Sequence, residues 1–324
     1  MNLFIIGAGF TKSLFPEAPL NNELLGAIDN GKTECASQYL KERYQTDDIE
    51  IALTKLDADI ATSYYSDRTL NDELQEIRRK IEIDLGNYFL EFRATYDLLD
   101  NAAWFKNFLY CAFSDGDVAV SLNYDCVFEG ALDCIGKWSP KGGYGFFQNP
   151  LIDDSAFGKS PVTVLKIHGS TSFTIAPYAD KPHCNSVDFA FDEWYFPNSA
   201  KNTHFGYGLG KGKTYLIAPS YVKVPTVEMT YLMLDALKAA YESSRLIIVG
   251  CSLRPEDLFL TLLLTHFLRQ PQWQTRKIII MDINADSIAS RIKNFWGVNI
   301  EEYVVPIGGS FEKSIEELCD GIKK

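Results

Sequence analysis

The chain reads as an α/β protein: a doubly wound parallel sheet with a helical insertion and a small irregular lobe. Three observations predict this class. Apolar runs such as Leu3-Phe4-Ile5-Ile6 and Leu246-Ile247-Ile248-Val249 are continuous rather than alternating, as strands buried on both faces require. In the last third of the sequence such runs alternate regularly with stretches of helical periodicity. Several runs end in glycine or small polar residues, at the position where open α/β sheets build their sites.

The elements follow in order. Residues 2–6 form a buried strand that breaks at Gly7-Ala8-Gly9, and Asn21–Asp29 a short helix. From about Ala36 to Ser114 the pattern is helical. Leu70, Leu74, Ile77, Ile81, Leu85 and Tyr88 fall on one face, with Thr69 and Asp72 as a cap. Asp117–Leu122 is the next strand, 124–135 a helix, and Gly136–Lys159 loops or a small hairpin. Val162–Ile167 is again a strand. Residues 171–213, with Gly206, Gly208, Gly210 and Gly212, read as an irregular lobe over a pocket. Four strands then alternate with helices: Tyr215–Ala218 before 227–242, Arg245–Val249 before 256–269, Lys277–Ile283 before 285–294, and Glu302–Val305 before 311–322. The expected division is a main domain of residues 1–35 and 115–324, a helical insertion at 36–114, and the 171–213 lobe within the main domain. A chain of 324 residues is long enough for such an arrangement.

Composition excludes some classes. A formal net charge of -12 argues against direct nucleic-acid binding, which needs clustered Lys and Arg. No signal-peptide core precedes Leu3 and no apolar run reaches bilayer length, so a cytoplasmic protein without a membrane partner is expected. The seven cysteines are scattered, with no C-x-x-C pair. That pattern predicts reduced thiols and no cysteine zinc site.

The strand ends carry the chemistry. Gly7-Ala8-Gly9-Phe10-Thr11 follows a strand and opens a helix; its glycines would let backbone amides approach a pyrophosphate, or simply make a tight turn capped by Thr11. Asn123 and Asp125 end the second strand, either as turn and cap residues or as an amide aimed into a pocket with a carboxylate orienting it. His168, between an apolar strand and Gly169, suits a general base near neutral pH, whereas His183, His204 and His266 lack that setting. In Gly250-Cys251-Ser252, Ser252 could donate to a phosphate or ribose oxygen, and Cys251 reads as a packing residue. Asp282-Ile283-Asn284 could take ribose hydroxyls, or Asn284 could cap the next helix.

In order and at these spacings, the motifs resemble the sirtuin family. Gly-Ala-Gly-Phe-Thr is similar to its Gly-Ala-Gly-x-Ser, Asn123-x-Asp125 to its Asn-x-Asp, and His168-Gly169 to its His-Gly. Gly250-Cys251-Ser252-Leu253 is similar to its Gly-Thr-Ser-Leu, and Ile283-Asn284 to its Ile-Asn. The resemblance implies a Rossmann-type domain that binds NAD and breaks the nicotinamide–ribose bond. Asn123 and His168 would be catalytic and Asp125 would support them. Gly7, Ala8, Gly9, Phe10, Thr11, Gly250, Ser252 and Asn284 would hold NAD.

The departures matter too. Only Cys184 lies between His168 and Gly250, so the four zinc cysteines of the protein-deacylating members are missing and no metal is expected. The Pro-Asp-Phe-Arg cofactor loop survives only as Pro16-Glu17, leaving Glu17 as its acidic contact to NAD. The peptide-holding Phe-Gly-Glu has no counterpart around Ala218-Pro219-Ser220. This pattern resembles the sirtuin-like proteins of bacterial anti-phage systems, and implies an oligomeric NAD hydrolase (NADase) driven by a separately encoded partner, an ATPase or a nucleic-acid sensor. The rival expectations are an NAD-dependent deacylase or ADP-ribosyltransferase, and a non-catalytic sensor of NAD or ADP-ribose.

Overall fold

A computed structural model describes residues 1–29, 36–145, 160–178, 181–189, 196–199, 214–221, 225–254, 257–269, 275–296 and 303–323. Six strands form the central sheet: β1 (Asn2–Ile6), β2 (Val118–Ser121), β3 (Thr163–Lys166), β7 (Arg245–Val249), β8 (Lys277–Met281) and β9 (Val304–Ile307). Their spatial order is β3-β2-β1-β7-β8-β9, and every neighbouring pair is parallel. The first half of the sheet grows outward from β1 in one direction and the second half in the other, which is the Rossmann order. The chain is therefore a Rossmann-like doubly wound α/β protein. Leu3–Ile6 and Leu246–Val249 are fully buried, as strands covered on both faces must be.

The register aligns the strand ends. Ile6 pairs with Ser121 and Val249, Ser121 with Lys166, Val249 with Met281, and Met281 with Ile307. All six strands thus leave the sheet on one row. The covering helices include α10 (Val227–Glu242) over β2 and β3, and α12 (Ala285–Trp296) and α13 (Phe311–Lys323) over β8 and β9.

Between β1 and β2 run α1 (Ala8–Leu14), α2 (Asn21–Ala27), α3 (Ala36–Tyr44), α4 (Ile49–Ser66), α5 (Arg68–Phe89), α6 (Tyr96–Asn101) and α7 (Ala103–Ala112). On α5, Leu74, Ile81 and Leu85 are fully buried, while Leu70, Ile77 and Tyr88 are half-buried against the same core. The cap differs from expectation. Asp67, not Thr69, starts α5 by accepting the Leu70 N–H at 3.1 Å, because the same aspartate ends α4 one residue earlier.

After β2 come α8 (Val127–Cys134) and the short α9 (Pro140–Gly143). A second sheet holds β4 (Gly169–Tyr178), β5 (Lys181–Phe189) and β6 (Thr214–Leu216), antiparallel in the order β5-β4-β6. Two expectations change here. Part of the irregular lobe is a regular β4–β5 pair. The strand expected at Tyr215–Ala218 is the three-residue Thr214–Leu216, which pairs antiparallel with β4 at Gly169, Ser170 and Thr174 instead of joining the parallel sheet. The glycines at 206–212, His204 and residues 146–159 of the Gly136–Lys159 loop reading lie outside the described residues. α11 (Leu258–Leu268) completes the set.

Candidate active site

Beyond the aligned strand ends lies a cavity of about 600 Å³, within the roughly 300–1,000 Å³ typical of small-molecule sites. Its wall comes from the segments after all six strands: Gly7–Gly9 with Thr11–Ser13, Leu122–Asp125, His168, Gly250–Arg254, Met281–Asn284 and Gly309–Glu312. It sits over the β1–β7 boundary, the topological switch point of the sheet. Of the residues singled out from sequence, Gly7, Ala8, Gly9, Thr11, Asn123, Asp125, His168, Gly250, Ser252 and Asn284 line it.

Phe10 and Glu17 do not. Phe10 is fully buried beneath α1, with ring centroids 5.4, 5.5 and 5.9 Å from Phe128, Phe105 and Phe311. The motif is helical there, so successive residues point about 100° apart and position 10 turns into the core. Glu17 is exposed, and the wall beside it is made by Ala18, Pro19 and Leu20.

Of the two expected purposes of the glycines, the tight turn is the one their hydrogen bonds show. The amides of Gly7, Gly9 and Phe10 donate to Val249 O (3.0 Å), Gly250 O (2.9 Å) and Gly7 O (2.9 Å), so they do not face a pyrophosphate. Two turns interlock backbone to backbone. A Cβ on Gly7 would lie 2.5 Å from Gly250 O. Gly250 itself has φ 57°, and a Cβ there would lie 2.3 Å from Phe10 N. Cys251 is buried between these turns, and burial pushes its thiol up to about 12, which fits packing rather than nucleophilic chemistry.

Asn123, Thr11 and Asp125 form one chain of hydrogen bonds. Asn123 Nδ2 donates to Gly7 O (3.1 Å) and to Thr11 Oγ1 (3.0 Å), and Thr11 Oγ1 donates to the Asp125 carboxylate (3.0 Å). Both amide hydrogens are therefore committed, leaving Asn123 Oδ1 as the acceptor available to a ligand in the cavity. Asp125 also accepts the Val127 N–H at 3.0 Å, which starts α8. Burial pushes the Asp125 carboxyl up to about 6, against the pull of nearby Lys166.

Behind this chain is a dry polar layer that the sequence reading missed. Lys166 Nζ lies 2.9 Å from Glu129 Oε1, both side chains are fully buried, and Lys166 also donates to the Asp125 carbonyl. Burial pulls the Lys166 ammonium down, but Glu129 and its other neighbours outweigh it, and the net direction is up. Tyr144, Ser172, Ser170 and Cys126 extend the network. A charge inside an otherwise apolar strand was the signal for Lys166.

His168 faces a second residue missed from sequence. Its Nε2 lies 3.3 Å from Asp257 Oδ2, and both side chains are about one-tenth exposed (10% and 11%) at the cavity. Asp257 Oδ1 accepts the N–H groups of Phe259 (3.1 Å) and Leu260 (3.2 Å) and so caps α11. The sequence placed the helix start at 256, two residues before Leu258, so Asp257 fell inside the helix instead of at its cap.

Helix α4 reaches the site as well. Arg254 Nη1 contacts Glu50 Oε2 (2.6 Å) and Asp48 Oδ2 (3.2 Å) at the start of α4, and Glu50 lines the cavity. Arg291 holds the Ser252 and Leu253 carbonyls from α12. Ser252 and Asn284 are exposed on the cavity rim. Among the described residues no group of three or more His, Cys, Asp or Glu could hold a metal ion, and no helix is long and apolar enough to cross a membrane.

No family model matches the chain, and no curated protein matches it significantly. Among solved structures it is similar to a Sir2 homologue in complex with ADP-ribose, at 12% identity and a TM-score of 0.43, over 99% of this chain and 92% of that one. It is also similar to a Sir2 homologue with 2′-O-acetyl ADP-ribose, at 11% identity, TM-score 0.41 and the same coverage. Sir2Tm bound to a propionylated peptide matches at 10% identity and TM-score 0.36, again over 99% and 92%. At these values the α/β class rests on the strand order, not on the likeness.

Proposed function

We propose that this chain is a sirtuin-type NAD glycohydrolase that cleaves the nicotinamide–ribose bond to give nicotinamide and ADP-ribose. The observation that carries the reading is the meeting of Asn123 and His168, 45 positions apart in sequence, in one cavity at the switch point of a Rossmann-ordered sheet. In the proposed reaction the C1′–N1 bond breaks with its electron pair leaving on nicotinamide. Asn123 Oδ1 accepts a hydrogen bond from the attacking water and aims it at C1′. His168 takes the proton that water loses, and the new C1′–O bond completes ADP-ribose. Asp125, through Thr11, holds the Asn123 amide in this orientation.

One contact favours hydrolysis over protein deacylation. The resemblance would put the peptide-holding segment of a sirtuin around Ala218-Pro219-Ser220, and here α4 packs beside it. Thr54 of α4 accepts the Tyr221 N–H at 2.9 Å and lies 3.4 Å from the Ser220 hydroxyl. An extended peptide has no free edge at that amide. We read the enzyme further as an NAD-depleting effector of anti-phage defence, working as an oligomer with a separately encoded partner. That reading rests on the motif resemblance and the missing zinc cysteines.

The test is nicotinamide release from NAD by the wild-type protein, by His168→Ala and by Asn123→Ala, each with and without co-purifying partners. Release lost in both variants supports the hydrolase. Release that requires an acyl-lysine peptide supports the deacylase, and no release under any condition overturns both.

A further inference from the structure

We infer that Asp257 is the positioning residue of His168: it selects which imidazole nitrogen carries the proton and fixes the ring in the cavity. The inference rests on the hydrolase reading for its kinetic consequence but not for its structural one. A carboxylate can only accept, so the ring nitrogen facing it must carry hydrogen. His168 Nε2 is 3.3 Å from Asp257 Oδ2, which makes Nε2–H the neutral tautomer and puts the basic lone pair on Nδ1.

The carboxylate is itself held. Asp257 Oδ1 is committed to the Phe259 and Leu260 amides at 3.1 and 3.2 Å, so the plane of the group is set by the first turn of α11 and Oδ2 is left directed at the ring. The backbone on the histidine side is equally fixed: the Ile217 N–H donates to His168 O at 2.9 Å, and Gly169 follows with φ 80°. Two rigid supports from different halves of the sheet therefore meet through one imidazole–carboxylate contact. A helix cap alone needs one oxygen; the second oxygen is the one that serves the site.

Asp257→Asn separates these roles. The asparagine oxygen still accepts the two helix amides, so α11 stays capped. Its NH2 then faces His168, a donor against a donor, and the ring must move its proton to Nδ1. The expected results are a reversal of the neutral tautomer, read from imidazole 15N shifts of the substrate-free protein, and a kcat for nicotinamide release lowered within the ~10²–10⁴-fold worth of a positioned base. KM for NAD should stay within about twofold, since Asp257 acts through His168. Asp257→Ser, which caps the helix but is too short to reach the ring, should lose the tautomer preference with a similar fall in kcat.

An unchanged tautomer and unchanged kcat in both variants would overturn the inference and reduce Asp257 to a cap. If tautomer preference is lost but no protein releases nicotinamide, the positioning role stands and the hydrolase reading falls.

Discussion

Two acid–base pairs lie two residues apart at the end of β3, and they behave as opposites. Lys166–Glu129 is fully buried at 2.9 Å inside a hydroxyl-rich network, whereas His168–Asp257 stands at 3.3 Å on the cavity surface. Strand alternation alone would put residues 166 and 168 on the same face; the chain leaves the sheet after Lys166, and that exit moves His168 out of the dry layer. The first pair holds the Asp125 carbonyl and hence the loop carrying Asn123. The second sets an imidazole beside a carboxylate at the cavity wall. Depth, not residue type, separates the core pair from the cavity pair.

Swapping the losses breaks the comparison most sharply. His168→Ala should reduce nicotinamide release by about 10²–10⁴-fold while leaving urea unfolding within about 1 kcal/mol of wild type. Lys166→Met should do the reverse in kind: it strands the Glu129 carboxylate and costs about 3–5 kcal/mol in the same unfolding measurement. Adding Glu129→Leu should return most of that stability, because no buried charge is then left over. Equal instability in the single and double variants would mean that the network, not the charge, is what the core needs.

A third prediction concerns pH. Asp125 takes up its proton near pH 6 in the folded protein and near 3.8 as a free carboxyl. As pH falls from 6 towards 4, the folded state binds this proton first, so this group makes stability rise through that window and weighs against the fold above it. Asp125→Asn should remove a contribution on the order of 1–3 kcal/mol from the pH dependence, measured as unfolding free energies at pH 4 and pH 7. A profile identical to wild type would show that Asp125 is ionised throughout. The smallest effect is expected at the rim. Ser252→Ala should raise KM for NAD by about two- to tenfold, the worth of one hydrogen bond, with kcat unchanged.

Most of the parallel sheet was legible because β1, β7 and β8 are continuous apolar runs, a pattern that only two-sided burial explains. The small sheet was not. Thr214–Leu216 is too short to reveal whether its partner is parallel or antiparallel, and pairing is a tertiary fact. At the site, Asn123 and His168 could be read because they stand beside glycine or aspartate at strand ends. Asp257 could not, since nothing local distinguishes a cap with one useful oxygen from a cap with two. Phe10 misled for the opposite reason: it sits inside a recognisable motif, but the helix that starts at Ala8 rotates it away from the cavity. Lys166 and Glu129 are charges in apolar stretches of sequence, but nothing local singles them out as partners, and their pairing needed the fold.

The interlocked turns at Gly7–Phe10 and Gly250 carry a consequence for biosynthesis. They join residues some 240 positions apart, and β1 has β7 as its neighbour on one side. A ribosome-bound chain that has not yet emitted Val249 and Gly250 has an exposed β1 edge and an unfinished cavity floor, however well its helices have folded. The cavity wall that Asn123 shares with these turns therefore closes only when the last third of the protein has emerged. A nascent chain has no complete cavity before its own translation is well advanced.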